Sequence, residues 1–451
     1  MDLLDPLSGS EEVNSIFSDR SRLQGMLDFE AALAAAEGRV DVIPESAAAP
    51  ITAKCRADLF DLSVLAEASV QAGNLAIPMV KQLTVLVGKD DAQAMRYVHW
   101  GATSQDAIDT GLVLQLRAAL ELIRADLGNL CRVLENVAEA HRATPVAART
   151  WMQHAVPTTF GLKAAGALDA LTRHRARLRQ TERRILVLQF GGAAGTLAAL
   201  GTRGLDVGKA LSEELRLELP ALPWHSHRDR VAEVATTLAL LTGTLGKIAR
   251  DLSLQMQTEV GEVFEPSFEG RGGSSTMPHK RNPVTSAVVL AAANRVPALA
   301  SIMLSAMSQE HERGLGGWQA EWQTLPEIVR LCAGALHRLA DTVANLEVNP
   351  KRMQQNLELT RGLIYSEAVA AALAAHIGKA EAHKVIEAAS RKTIAENEHL
   401  RDVLAADPDV TRHFTPAELN RLFDPLGYTG AAALFIDRVV AASKSDSGEG
   451  E

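Results

Sequence analysis

"SQDAIDTGLVLQLRAALELIRADLGNLCRVLENVAEAH", residues 104–141, is the stretch that decides the fold. Its apolar residues recur at intervals of three and four, the period of an amphipathic α-helix rather than of a strand. A helix of this length must cover its apolar face with other long helices. The stretch therefore predicts a helix bundle and not a layered sheet.

The same periodicity predicts helices elsewhere in the 451 residues, and the composition agrees. Ala and Leu abound, aromatic residues make up only 4%, and β-branched runs are scarce, which favours helix over sheet. The predicted helices are 20–37, 52–75, 104–141, 157–189, 228–260, 283–307 and 327–346. The fold class is thus predicted as all-α, with a long central helix bundle.

The length of the chain predicts two or three domains, and we expect three. They are an N-terminal helical domain (1–110), a central long-helix domain (111–357) with a mobile loop at 270–283, and a C-terminal helical domain (358–451). "LEVNP" and "LTRGLIYS", on either side of residue 357, indicate the second boundary. The final "SKSDSGEGE" predicts a disordered tail.

Charge and composition argue against several classes of protein. A net charge of −9 with no Lys/Arg-rich block argues against a nucleic-acid partner. No signal peptide and no uncharged apolar stretch long enough for a membrane span are seen, so no membrane partner is expected. The three cysteines are far apart, which fits reduced thiols and supplies no zinc spacing. We expect a soluble, cytoplasmic protein.

"ILVLQFGGAAGTLAAL" (185–200) resembles a strand, a glycine-rich turn and a helix, as in a dinucleotide-binding fold. It lacks G-x-G-x-x-G, and no alternating strands surround it. We interpret Gly191, Gly192 and Gly195 as a close approach of helices.

"GRGGSSTMPHKRNPVTSA" (270–287) interrupts the helices with glycines, hydroxyl residues and cations. The glycines would allow a lid to move. Ser274 and Ser275 lie near Lys280 and Arg281, and Pro283 suits the first turn of a helix whose N-terminus would add to an anion site. The alternative is a mobile surface loop whose polar residues merely cap that helix.

Two further segments carry polar residues next to predicted helix starts. "RYVHWGATSQDAIDTG" (96–111) precedes the long helix, although Thr103 and Asp106 also have the spacing of a capping box. "ARTWMQHAVPTTFG" (148–161) precedes a helix predicted to start at Pro157. A lone histidine such as His154 is more often structural than catalytic.

Together the three segments resemble the fumarase/aspartase superfamily of lyases. The family loop reads G-S-S-x-M-P-x-K-x-N-P, and residues 273–283 match it in order. "HERGLGGWQAEWQTLPE" and "LTRGLIYSEAV" resemble the adenylosuccinate lyase branch, so the likeness spans nearly the whole chain. It implies a three-domain subunit in a homotetramer with a twenty-helix core, whose active sites are each shared between three subunits.

The resemblance also implies roles for residues. Ser274 would transfer a proton, and Lys280, the second catalytic candidate, would hold a substrate carboxylate with Asn282. The reaction would add or remove a proton beside a carboxylate, through an aci-carboxylate, with no cofactor and no metal. The substrate-binding candidates are His99, Thr103, Ser104, Thr150, Trp151, Gln153, His154, Ser275, Met277, Asn282 and Arg313. His141 is a second candidate for proton transfer, its alternative being a structural role at a helix end.

Two departures from the family pattern limit which of the superfamily's reactions the chain would catalyse. The family's R-T-H has Trp151 in place of the histidine, and its partner Glu is replaced by Ala287. Loss of this pair suits a reaction whose nucleophile is a carboxylate, which needs no proton at neutral pH. The superfamily contains such a lactone-forming reaction, the cycloisomerisation of the tricarboxylate 3-carboxy-cis,cis-muconate. The alternatives are an adenylosuccinate-lyase-like C–N lyase and a catalytically silent structural homologue.

Overall fold

Helices make up nearly all of the regular structure in the computed structural model, which describes residues 3–267, 277 and 279–448. The N-terminal helices are α1 (Asp5–Ser8), α2 (Glu11–Ile16), α3 (Asp19–Arg39), α4 (Glu45–Lys54), α5 (Leu62–Ala72) and α6 (Ala76–Asp90). The middle of the chain forms α7 (Ser104–Ala140), α8 (Phe160–Ile185), α9 (Gly204–Leu215), α10 (Asp229–Gln255), α11 (Val284–Ser305) and α12 (Gly317–Ala344). The last helices are α13 (Pro350–Leu357), α14 (Ser366–Ile377), α15 (Lys379–Glu396), α16 (Leu400–Ala405), α17 (Pro408–Thr411), α18 (Pro416–Arg421) and α19 (Ala432–Gly448). The prediction of an all-α fold is confirmed.

The stretch 104–141 forms α7, a single helix of 37 residues, which is about 55 Å long at the usual rise per residue. Its large buried aliphatic residues are spaced alternately by three and four: Val113, Leu116, Leu120, Ile123, Leu127, Leu130 and Leu134. This spacing produces a continuous seam along one face, as in helices that pack lengthwise. The predicted long helices at α8, α10 and α11 are also present, with ends that differ by a few residues.

Packing divides the chain into two compact units. The first comprises Met1–Asp126, His174–Leu245 and Val288–Arg338, and the second comprises Leu127–Arg173, Gly246–Ala287 and Leu339–Glu451. The long helices pass from one unit into the other, so the units are built from segments that alternate along the chain. The division into three domains at residues 110 and 357 partitions the chain differently and stays a prediction.

Two helix predictions are wrong in part. The predicted helix 52–75 is broken, because α4 ends at Lys54 and α5 begins after Asp61, whose side chain caps it. Helix α12 begins at Gly317, ten residues earlier than predicted, and Pro326 lies inside it. The predicted tail is helical as far as Gly448, within α19, and its last three residues lie outside the described residues.

Within the described residues, four short strands pair in twos: β1 (Pro145–Thr150) with β2 (Gln153–Thr159), and β3 (Val263–Phe264) with β4 (Glu347–Val348). Both pairs are antiparallel. Pro157, predicted to open a helix, instead lies in β2, and α8 begins at Phe160. The second predicted site segment is therefore a hairpin.

Gly191, Gly192 and Gly195 lie in a loop, so the prediction of a helix–helix approach is wrong. Gly192 and Gly195 have φ values of 66° and 82°, a left-handed backbone that favours glycine. A Cβ at Gly191 would lie 2.7 Å from the side chain of Pro223, so close packing does occur, but against another loop.

In the part of the chain that the structure describes, two helices are long and apolar enough, by length and composition, to cross a membrane: α10 and α11. In α10, 61% of the most apolar window is buried, as expected for a core helix, whereas in α11 only 28% is buried. Helix α11 thus leaves an apolar surface uncovered within a single chain.

Candidate active site

The start of α7 is held by the carboxylate of Asp106, which is fully buried in the first unit. It accepts hydrogen bonds from the backbone N–H groups of Thr103 (3.1 Å), Gly191 (3.0 Å) and Gly192 (2.9 Å). Its Oδ1 also lies 2.8 Å from Nε2 of His225. The Thr103–Asp106 bond is one half of the predicted capping box, and the others fix the candidate segment against the glycine loop.

Arg313 lies beside the same segment. Its Nη1 donates to Thr103 Oγ1 (3.1 Å) and its Nη2 donates to the carbonyl of Ala193 (3.1 Å). Ser104 is the first residue of α7 and is half-buried. The structure thus brings three sequence-predicted residues together, although two of the guanidinium donors of Arg313 are already occupied by the protein.

His99 lies near the start of the same segment and has a left-handed backbone, with φ of 58°. Its Nδ1 lies 2.6 Å from Oε1 of Glu30 in α3, and the two side chains are 16% and 1% exposed. Burial lowers the pKa of the imidazole, but the charge and hydrogen bond of Glu30, with a contribution from Asp106, raise it above the ordinary value. His99 is therefore biased towards the cation. Glu30 was not predicted. The sequence feature that could have indicated it is a carboxylate on the apolar face of a helix.

A buried ion network lies next to Asp106. Arg228 donates through Nη1 and Nη2 to Asp109 (2.7 and 3.1 Å) and through Nε to Glu321 (3.0 Å). Trp318 Nε1 donates to Asp109 (3.0 Å). All four side chains are almost wholly buried. They join α7 and α12 to the start of α10 and make the floor of this region rigid.

The second candidate segment, in the second unit, is the β1–β2 hairpin. Thr150 and Gln153 pair as the residues that flank its two-residue turn. The turn consists of Trp151 and Met152, with φ values of 52° and 66° and with 98% and 68% of each residue exposed. Two bulky side chains therefore occupy left-handed positions, which usually belong to asparagine and glycine.

His154 follows the turn and is half-buried, and its Nδ1 has no hydrogen-bond partner among the described residues. Burial and the charge of Arg149 lower the pKa of His154, opposed by Glu262. Nη1 and Nη2 of Arg149 donate to the buried carboxylate of Glu262 (2.9 and 2.6 Å). Asn356 donates to the same carboxylate (2.9 Å). This pair anchors the hairpin close to its turn and was not predicted.

The loop supplies the remaining candidates. Ser274 and Ser275 lie outside the described residues. Met277 and Lys280 are exposed and Asn282 is half-buried, all in the second unit. Arg281, considered as a cation for the substrate, is instead paired with Glu347 (2.8 and 2.7 Å) and stacked on Phe264.

The N-terminus of α11 does not offer the anion site that the sequence predicted. The buried carboxylate of Glu265 accepts from the backbone N–H groups of Thr285 and Ser286 (both 2.8 Å) and from Ser286 Oγ (2.7 Å). The donors that would bind a ligand are therefore satisfied by the protein's own anion. Arg281 Nη2 also donates to the Glu265 carbonyl (2.7 Å), so the residues on both sides of the loop are joined.

His141 lies at the end of α7, with Nδ1 3.1 Å from Thr144 Oγ1 and its ring packed edge-on against Phe160. Burial lowers its pKa. Within residues 3–267, 277 and 279–448, no group of three or more His, Cys, Asp or Glu side chains could hold a metal ion.

The model of the lyase family matches residues 9–298, and the model of the adenylosuccinate lyase C-terminus matches residues 362–439. The first match covers more than half of the chain. The chain therefore belongs to this lyase family, within the fumarase/aspartase superfamily.

Particular relatives are similar over almost their full length. The chain is 56% identical over 439 residues to the 3-carboxy-cis,cis-muconate cycloisomerase of Pseudomonas aeruginosa, covering 97% of this chain and 96% of that protein. It is 54% identical to the same enzyme of Bradyrhizobium diazoefficiens, covering 98% of each. The crystal structure of the 3-carboxy-cis,cis-muconate lactonizing enzyme from Pseudomonas putida superimposes with a TM-score of 0.95, at 51% identity and 99% coverage of both chains.

Proposed function

We propose that this chain catalyses the cycloisomerisation of 3-carboxy-cis,cis-muconate to 4-carboxymuconolactone, in the protocatechuate branch of the β-ketoadipate pathway. The observation that carries the proposal is the identity of 56% to the Pseudomonas aeruginosa cycloisomerase over nearly the full chain. Trp151 and Ala287, in place of the His–Glu pair of related lyases, support it independently.

The reaction needs a nucleophile, a site for developing charge and a proton at carbon. A substrate carboxylate oxygen attacks the conjugated double bond and forms the C–O bond of the lactone. The displaced electron pair moves towards the neighbouring carboxylate and gives an aci-carboxylate. Protonation of the α-carbon completes the product, and one proton is taken up from solvent in each turnover. No leaving group departs, so no residue has to protonate one.

In this proposal Ser274 delivers the proton to carbon. Lys280 and Asn282 hold the carboxylate on which charge develops, where one well-placed donor can contribute roughly 3–4 kcal/mol. His99, biased towards the cation by Glu30, binds another carboxylate of the substrate. Thr103, Ser104, Thr150, Gln153, His154, Ser275, Met277 and Arg313 complete the binding surface.

The proposal also includes a homotetramer whose sites are shared between three subunits. Two features of the single chain support it. Trp151 is 98% exposed at the tip of a hairpin, which is unfavourable for a large aromatic side chain unless something covers it. The apolar α11 is largely uncovered. A neighbouring subunit would cover both.

We infer that the enzyme is soluble and cytoplasmic and that it works without a cofactor or a metal. Activity that survives dialysis against a chelator is expected, and activity abolished by the chelator and restored by a divalent metal would contradict this.

The decisive experiment follows the ultraviolet absorbance of 3-carboxy-cis,cis-muconate and, in parallel, the cleavage of adenylosuccinate. We expect loss of the muconate absorbance and no cleavage of adenylosuccinate. Cleavage of adenylosuccinate alone would identify a C–N lyase. No turnover of either substrate would favour the silent homologue.

A further inference from the structure

We propose that Glu30 is a positioning residue of the reaction, which holds His99 as a charged donor for a substrate carboxylate. The inference rests on the proposed function, because His99 is assigned there to the substrate. Glu30 itself is 1% exposed and acts only through the imidazole.

The geometry fixes which nitrogen of His99 carries a proton. An ionised carboxylate only accepts hydrogen bonds, so Nδ1, 2.6 Å from Glu30 Oε1, is the donor in that bond. No hydrogen bond joins Nε2 to any described residue. A histidine bound in this way presents Nε2 to a ligand, as carboxylate-bound histidines do in many sites.

Two further features indicate that the Glu30 carboxylate and the His99 imidazole are placed for each other. Glu30 Oε2 has no hydrogen-bond partner among the described residues, so His99 is the partner of this carboxylate. The backbone of His99 has φ of 58°, a left-handed conformation that is strained in a residue other than glycine. Such strain persists where the surroundings require the side chain in that place.

Charges on two elements act on His99. Glu30 acts from α3 in direct contact, and Asp106 acts from α7 at longer range. The Asp106 carboxylate is already bound by backbone N–H groups and by His225. Without Glu30, burial would still destabilise the His99 cation, and only the charge of Asp106 would favour it. His99 would then lose its proton at a lower pH.

Helix α3 offers a matched control. Glu37 lies seven residues after Glu30 on the same helix and is equally buried, but neither of its carboxyl oxygens is hydrogen-bonded to His99 or to any other described residue. Both substitutions place an amide at the same depth of the same helix, but only Glu30→Gln removes a charge beside His99, because burial raises the pKa of Glu37 and keeps it protonated. A purely structural effect of the amide would therefore appear in both variants.

The experiment measures kcat/KM for 3-carboxy-cis,cis-muconate against pH in the parent, Glu30→Gln and Glu37→Gln. In Glu30→Gln we expect the alkaline limb to move down by about one pH unit or more, with a loss of about ten-fold at pH 8. The loss should shrink towards pH 6, where His99 can be protonated without Glu30. Glu37→Gln should keep the parental profile. A parental profile for Glu30→Gln, or equal shifts in both variants, would overturn the proposal.

A double-variant cycle tests whether Glu30 acts through His99. In a His99→Gln background, Glu30→Gln should change kcat/KM by less than about two-fold, and a full further loss would contradict the proposal. If Glu30→Gln does not fold, Glu30→Asp keeps the charge and shortens the reach. It should lower kcat/KM while leaving the alkaline limb nearly in place, and parental kcat/KM would again be contradictory.

A binding measurement separates this inference from the proposed function. Propane-1,2,3-tricarboxylate, an unreactive tricarboxylate, is titrated calorimetrically into the parent and Glu30→Gln at pH 6 and pH 8. Weaker binding to the variant, mainly at pH 8, supports the role of Glu30 even if the parent does not turn over the muconate. Equal binding to both proteins at both pH values would reject it.

Discussion

Glu37 is a carboxyl group inside the protein with no hydrogen-bond partner for either oxygen among the described residues. Burial, and to a lesser extent Glu30, raise its pKa from 4.5 to about 9. The folded state therefore holds a proton that the unfolded state releases between these values, so this group makes stability fall as pH rises through that window. In Glu37→Gln the melting temperature should match the parent near pH 5 and exceed it at pH 8.5. Thermal unfolding at the two pH values tests this, and an equal difference at both would contradict it.

Ser274 carries the chemistry in the proposed reaction. We expect Ser274→Ala to lower kcat by about two orders of magnitude or more, because it removes the group that moves the proton to carbon. Binding of propane-1,2,3-tricarboxylate should change little, since the carboxylate-binding residues remain. A variant with near-parental kcat would assign proton transfer to another residue.

Trp151 and Ala287 allow a test of why the His–Glu pair is missing. If the nucleophile is a carboxylate, restoring the pair with Trp151→His and Ala287→Glu gains nothing and removes an apolar wall that excludes water. We expect kcat/KM for lactonisation to fall. Each single variant serves as a control, and a double variant faster than the parent would show that the absent proton donor limits this reaction.

At the scale of elements, the hairpin tip combines strain with exposure. Trp151 and Met152 have left-handed backbone angles, and this conformation costs about 1–2 kcal/mol of conformational free energy for each residue. Replacing them by Asn and Gly should stabilise the hairpin by roughly 1–2 kcal/mol and lower kcat/KM at least about ten-fold through loss of the indole. Met152→Gly alone should gain stability and keep most of the activity. A double variant of parental activity would show that Trp151 has no part in the site.

The long helices could be predicted because the spacing of apolar residues along the sequence shows the helical period directly. The seam of α7, from Val113 to Leu134, is visible in the sequence. The hairpin could not be found in this way, because Pro157 is equally suited to the first turn of a helix and the paired strands are only six and seven residues long.

The candidate site was predictable only where a motif exists. Lys280 and Asn282 come from the family loop, and His99 and Thr103 from a cluster of polar residues. The supporting carboxylates Glu30, Glu262 and Glu265 were missed, because their partners are 69, 113 and 20–21 residues away in the chain. Pairing over such distances follows from the tertiary fold and leaves no local pattern.

At the scale of the whole molecule, shared sites make a testable prediction. Ser274→Ala and Thr103→Ala subunits, each inactive alone, are unfolded together and refolded. If these two regions meet from different subunits, about a quarter of the sites in random tetramers regain both native residues. We expect activity to reappear on mixing, with sedimentation showing a tetramer. No recovery, or a fully active monomer, would refute the shared site.

The buried charges of α7 are matched by residues that a ribosome makes much later. Asp109 meets Arg228 119 residues further along the chain and Trp318 209 residues further. Because synthesis proceeds from the N-terminus, the carboxylate of Asp109 has no cation to pair with until residue 228 has emerged, and the network is complete only after residue 321. The first site region is therefore finished late in synthesis. A chain released early would carry unpaired acidic groups that are buried in the interior of the complete protein.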